Sequence, residues 1–133
     1  MSLDSAGLRV LTSTECLELL REVTIGRVAL SHRALPLILP VHFRLDDAGR
    51  IRIAAAPGST LHHATAGNVV AFEADGPAGS VEPTWSVVLH GVATHTEPGP
   101  RLTEPHPTDV LITIGQISGR AVLDATPPPA AAR

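Results

Sequence analysis

Two prolines inside one apolar run, Pro36 and Pro40 in LPLILPVHF (35–43), constrain the fold of this chain more than any other feature. Proline has no N–H to give to a ladder and is confined to sheet edges, strand starts or bulges. The run therefore reads as a strand over about Leu35–Leu45 that lies at a sheet edge or is interrupted by a bulge. Such a strand leaves backbone groups open beside Val41, His42 and Phe43. Asp46-Asp47-Ala48-Gly49 turns the chain into a second, antiparallel strand, Arg50–Ala55, where Ile53 to Ala56 offer small side chains over which a flat ligand can approach the main chain. Pro57-Gly58-Ser59-Thr60 then turns into a short helix whose first N–H groups favour an anion. An edge, a small-residue floor and an anion-friendly turn suit a phosphorylated planar cofactor. The same residues also make an ordinary hairpin and helix cap.

The remaining elements follow from capping and periodicity. Residues 1–11 read as a loose leader. Thr12-Ser13-Thr14-Glu15 fits a capping box, and Leu17, Leu20 and Val23 fall at helical spacing, so a helix is expected over Thr14–Glu22 with Gly26 ending it. Cys16 would lie near the buried face of this helix as a small core residue. A strand over Arg27–Ser31, the two strands above, a short helix over Ser59–Thr65, and strands over Asn68–Asp75, Trp85–Thr96 and Val110–Ile117 complete the domain, 12–125. Gly91, inside the strand beginning at Trp85, marks a bulge or a close backbone approach. Gly76–Pro83 and Glu97–Asp109 read as loops, and the Pro/Ala-rich tail 126–133 as disordered. Six short strands with few helices predict a mainly β protein, a small barrel whose closure removes exposed sheet edges.

Composition removes several classes of function. All ten basic residues are arginine, and with no lysine the chain cannot form a Schiff base, hold pyridoxal phosphate covalently or build a Walker-type loop. There is no tyrosine either, so acid–base chemistry falls to histidine, a carboxylate, the single thiol or a cofactor. The arginines are scattered in a chain of net charge −3, without the basic stripe of a nucleic-acid binder. One cysteine excludes an internal disulfide, no apolar run approaches the roughly 20 residues of a membrane span, and the N-terminus lacks the features of a signal peptide; a cytoplasmic protein with no membrane partner is expected. Seven histidines invite a metal reading, but adjacent His62 and His63 do not share a helix face, and His90 and His95 fall on opposite faces of one strand unless Gly91 marks a bulge, so no metal is expected.

In order, these segments resemble the pyridoxamine 5′-phosphate oxidase-like, FMN-binding split-barrel family in its small actinobacterial form. The resemblance rests on Glu15-Cys16-Leu17-Glu18-Leu19-Leu20, Gly26-Arg27-Val28-Ala29, Pro40-Val41-His42-Phe43, Ala56-Pro57-Gly58-Ser59, Val70-Ala71-Phe72-Glu73, Trp85 to Gly91 and Ile117-Ser118-Gly119-Arg120. It implies a six-stranded split β-barrel homodimer with two flavin sites at the subunit interface. It further implies FMN, or in some relatives the deazaflavin F420, and oxidoreductase activity on a small-molecule substrate. By motif position, Val41, His42 and Phe43 would line the isoalloxazine ring with Ala54, Ala55 and Ala56 beside it. Ser59, Thr60 and Leu61 would approach the phosphate, and Trp85 and Ser86 would sit near the site, from the same or the partner subunit. Catalytic side chains are not implied.

The chain departs from the family at the phosphate turn. Relatives commonly carry a lysine after the Gly-Ser and a basic residue in the preceding strand, whereas Gly58-Ser59-Thr60 and Ile53–Ala56 contain no cation. Each lost charge-assisted bond is worth roughly 1.5–3 kcal/mol. His62, His63 or an arginine of a second subunit can compensate; otherwise the fold serves as a cofactor-free structural or binding dimer. For Trp85 a core or interface anchor, and for Arg120 and Arg27 a salt bridge, are the ordinary readings.

Overall fold

The computed structural model describes residues 2–56, 58–65, 67–77, 84–95 and 108–122. Most of the two expected loops, and the tail, lie outside the described residues. Helix α1, Ser13–Leu20, begins at the capping box: the Thr12 hydroxyl accepts from the Glu15 N–H, and the Glu15 carboxylate accepts from the Thr12 N–H. Its apolar spacing buries Cys16 and Leu20, and it ends with Arg21 as C-cap. Gly26 does not end the helix. It lies inside β2, Ile25–His32, where an added Cβ would come within 2.4 Å of the Phe72 ring, so glycine is needed for close packing and not for a turn.

Strands β1 (Arg9–Leu11), β3 (Leu35–Leu45), β4 (Ile51–Ala55), β5 (Val69–Pro77), β6 (Thr84–His95) and β7 (Thr108–Ala121), with the short helix α2 (Thr60–Ala64) between β4 and β5, complete the fold. The order is β1-β7-β4-β3-β2-β5-β6, all antiparallel, and β6 pairs again with β7. That last pairing closes β2 to β7 into a six-stranded barrel. The expected leader is in part a strand: β1 pairs with the end of β7, Leu11 is buried, and Asp4 bonds Arg120. Three residues flanked by Thr12 and Gly7 are too few for alternation to reveal.

Alternation along each strand sends Val28, Leu30, Phe43, Ile51, Ile53, Phe72, Val87, Leu89 and Ile112 into the barrel. Phe43 and Phe72 meet edge to face, ring centres 4.7 Å apart. The close approach expected at Gly91 is real, since a Cβ there would lie 2.1 Å from the Thr113 carbonyl oxygen. The bulge beside it belongs to β7, where Gly115 is the extra residue between the pairs His90–Gln116 and Gly91–Ile114.

The prolines of β3 sit on an open edge. Residues 35–42 pair with β2, while pairing to β4 is confined to Phe43, Arg44 and Leu45. The Phe43 N–H donates to Thr24 on the β2 side. Because successive N–H groups point to opposite sides of a strand, the N–H positions of residues 36, 38, 40 and 42 face away from β2. Among the described residues no strand pairs with that side over 35–42. The sheet is split there.

Candidate functional site

The outward faces of β3 and β4 meet beyond the split. The even-numbered residues of β3, His42 and Arg44 among them, point outward, as do Arg52 and Ala54 of β4. Val41, Phe43 and Ala55 point into the core, so only their backbone can reach a ligand on the outer face. His42, Phe43, Arg44, Arg52, Ala54 and Asp109 line a cavity of about 260 Å³. Arg44 lies directly opposite Arg52, and Ala54 opposite Asp109 at the start of β7. Arg52 Nη1 donates to Asp109 Oδ2 at 2.5 Å, while Arg52 Nε is buried without a partner.

Beyond Ala54 the exposed Ala56 leads to the turn. Gly58 takes φ +80°, a conformation that favours glycine. Ser59 caps α2, its hydroxyl accepting from the His62 N–H at 3.1 Å. Thr60 is exposed, and Leu61 is half-buried against the core. Arg52 and Ala56 are four strand residues, about 13 Å, apart. The two arginines and the hydroxyl turn thus stand at opposite ends of a floor made by Ala54 and Ala56.

The short helix is tied to the barrel by histidines. The His62 ring stacks on that of His95 (centres 4.1 Å apart, 14° between planes), and His63 meets His62 edge-on at 5.7 Å. His95 Nε2 lies 3.2 Å from the hydroxyl of fully buried Thr65, whose single proton is donated to the Leu61 carbonyl at 2.5 Å. His95 Nε2 must therefore be the donor. Burial lowers the His95 pKa, and a charge on His62 lowers it further. His90 faces the opposite, outer side of β6. Among the described residues no three or more histidine, cysteine or acidic side chains gather to hold a metal, and no helix is long and apolar enough to cross a membrane.

Trp85 and Ser86 lie elsewhere. They share a cavity of about 490 Å³ at the barrel end with Leu8, Asp75, Gly76 and Arg120. Trp85 is buried, its Nε1 without a partner. The Ser86 hydroxyl donates to Glu73 Oε2 at 3.2 Å, and Arg27 bonds Glu73 Oε1 at 3.1 Å. Burial raises the Glu73 pKa, and neighbouring Asp75 adds to the rise. Arg120 Nε donates to Asp4 at 2.9 Å. The Cys16 thiol is pushed up by burial, with Glu15 adding to the rise; that favours the unreactive thiol. Within one chain, then, His42 and Ala54 come together, the turn follows them, and Trp85 with Ser86 forms a separate surface. Arg44, Arg52 and Asp109 are the residues sequence reasoning missed. Parity held the signal for two of them: Arg44 shares the phase of His42, and Arg52 that of Ala54.

Solved structures share this architecture. An FAD-binding protein from Mycobacterium smegmatis is 31% identical, superposes with a TM-score of 0.72, and is matched over 87% of this chain and 99% of its own. An FAD-binding protein from Mesorhizobium loti has the same fold at 22% identity and TM-score 0.70, over 86% of this chain and 96% of its own. The uncharacterized protein Rv0080 of Mycobacterium tuberculosis is 40% identical over 84 residues, which are 60% of this chain and 55% of that protein; the chain therefore spans little more than half of this relative. Residues 12–106 match the family described as pyridoxamine 5′-phosphate oxidase, and with the closed, split sheet around them the chain belongs to the pyridoxamine 5′-phosphate oxidase-like split-barrel family.

Proposed function

We propose that this protein is a flavin-dependent oxidoreductase that binds FMN, acts on a small molecule and works as a homodimer. The observation that carries the reading is the outer face of β3 and β4. There an open strand edge borders a floor of Ala54 and Ala56, with His42 beside it and a hydroxyl-bearing turn at one end. A planar ring laid on that floor meets no bulky side chain. The open edge at His42 gives the ring's polar rim backbone groups to bond. Gly58, Ser59 and Thr60 then meet the phosphate end, and no cation belongs to that turn. The FAD-binding relative at 31% identity supports a flavin nucleotide as the ligand. A bound flavin supplies hydride or electron transfer, and the chain's part is to hold it, orient the second ligand and exclude water.

Two features support the homodimer. Ile38 and Val69 are each 70% exposed on the outer face of the barrel; Ile38 lies in the cross-strand row Ile38–Ala29–Ala71–His90, and Val69 pairs with exposed Val92 two residues along from that row. A second copy on that face would cover this apolar surface. It would also give the Trp85–Ser86 surface a flavin floor to meet, which one chain does not.

The test is a visible spectrum of the purified protein, followed by titration of the flavin-free form with FMN, FAD and F420 in parallel, with sedimentation to give the mass. A yellow dimer, or saturable micromolar FMN binding with one flavin per chain, supports the reading. Preference for FAD or F420 moves the cofactor within it. A colourless protein that ignores all three up to millimolar concentration overturns it in favour of a cofactor-free dimer, the role that the uncharged turn favours.

A further inference from the structure

Helix α2 is too short to stand by itself. It has five residues, and a helix below roughly 12–15 residues is marginal in water without tertiary contacts. Leu61 and Ala64 pack it on the core, and one column of rings and hydroxyls ties down both its ends. His95 shares the inward parity of Val87, Leu89 and Ala93, so it closes the barrel end beneath the helix. The His62 ring lies flat on it, centres 4.1 Å apart. At the end of α2, His95 Nε2 donates to the hydroxyl of Thr65, the C-cap, which donates to the Leu61 carbonyl. At its start, the His62 N–H donates to Ser59 Oγ at 3.1 Å, and His62 Nδ1 accepts the Gly58 N–H at 3.5 Å. This column tolerates neutral rings only. A proton on His62 Nδ1 would face the Gly58 hydrogen, a proton on His95 would charge a ring under the helix, and protons on both would set two cations face to face.

The surroundings do not relieve this. On α2 the neighbour is His63, edge-on to His62 at 5.7 Å. On β2, which α2 touches, His32 ends the inward row of Val28 and Leu30. On β7, apolar Val110 lies opposite His95, and the Asp109 carboxylate next to it serves Arg52 on the outer face. The charges that act on His95 are those of His62 and His63, so each added proton repels the next. Once α2 lifts away, the rings are in water and accept protons freely. We propose that the His62–His95 stack is a pH-sensitive latch: neutral, it holds α2 and the Gly58–Thr60 turn on the barrel, and protonation releases both. The inference rests on the flavin reading for the nucleotide that the turn would let go, but not for the release itself. Acid then loosens a nucleotide at the turn, whereas histidines serving as the missing phosphate cation would tighten it.

The experiment is hydrogen exchange of the full chain from pH 8 to 5, corrected for the intrinsic pH dependence of exchange and read by mass spectrometry on peptides from α2 and from β6, with FMN titrations alongside. Expected is a loss of protection in α2 of up to about tenfold per pH unit for each proton taken up, while Val87–Ala93 stays protected. His62→Phe keeps a ring on His95 but cannot take a proton, and His95→Gln keeps the donor to Thr65 and cannot titrate; in both, the acid-induced loss in α2 should shrink. FMN affinity in wild type should fall about tenfold further in acid than in His62→Phe, a comparison that removes the titration of the FMN phosphate itself. Protection of α2 that does not change with pH overturns the proposal, as does a loss that β6 shares to the same extent, and both are read on wild type alone. So does FMN binding that tightens in acid through His62. If FMN binds at no pH while α2 still opens in acid, the flavin reading falls and the latch stands.

Discussion

The cavity beside Ala54 and the cavity beside Trp85 draw on similar residues, yet their charges are settled in opposite ways. The first, about 260 Å³, leaves Arg44 without a carboxylate among the described residues and gives Arg52 one. In the second, about 490 Å³, Arg120 pairs with Asp4 from the N-terminal segment, and Asp75 of the lining pairs with Arg27. Among the described residues each charge of the larger hollow is thus paired, and one in the smaller hollow is not. Volume does not mark a polar ligand site as well as a charge the fold leaves unanswered, because opposed like charges destabilise a sheet unless something else offsets them. The barrel wall behind each cavity is alike in being apolar and tightly filled.

That contrast can be broken at four points. The largest effect belongs to the wall: Phe43→Ala, which removes a buried ring packed on Phe72, should lower stability by about 3–5 kcal/mol in urea unfolding. A loss well under 1 kcal/mol would mean that Phe43 serves a ligand and not the core. Next come the two acids. Asp109→Asn strips the half-buried Arg52 of its partner and should cost roughly 1–3 kcal/mol. Asp4→Asn should cost less, since the guanidinium it leaves unpaired, Arg120, is 40% exposed against 25% for Arg52. Equal melting shifts for the two variants would erase the distinction between the cavities.

The third effect is a pH dependence at the corner that holds α2. The folded His95 pKa lies below its ordinary 6.5, through burial first and then through His62, with His63 adding to the effect. The unfolded chain therefore takes up this proton more readily than the folded one. The stabilisation is complete above about 6.5 and is lost as pH falls from there through the lowered folded value. Glu73, raised by burial and by Asp75, acts in the opposite sense: its penalty, present when ionised, fades in acid. Urea midpoints from pH 8 to 5 for wild type and His95→Gln isolate the histidine. A wild-type slope no steeper than that of the variant would contradict the lowered pKa of His95. The smallest effect is optical. Trp85 is the only tryptophan, and FMN bound in a dimer that joins the two surfaces should quench its fluorescence. Quenching that is absent while FMN binds would keep the surfaces apart.

Much of the fold could be read from the residues alone. Prolines at 36 and 40 announced an edge or a bulge, Thr12 and Glu15 a helix start, and Gly91 a bulge or a close approach, because each is a local demand with few physical solutions. The misses have a common cause. Gly26 and β1 answer to distant partners, Phe72 and β7, which no local pattern names. The site was half legible for the same reason. His42 and Ala54 were found as neighbours on consecutive strands, whereas Arg44 and Arg52 matter only through cross-strand register, and Asp109 arrives from a strand 57 residues further on.

The half-paired strand has one more consequence. An exposed edge is a template on which another polypeptide can add itself, strand to strand, and natural sheets guard against this. Here the four positions facing outward from the edge are Pro36, Ile38, Pro40 and His42, and two of them have no hydrogen to donate. A would-be intruding strand finds every second N–H donor missing and pyrrolidine rings in its way. A small ring that needs a bond or two near His42 finds them intact. The prolines leave the gap open to a small ligand while closing it to aggregation.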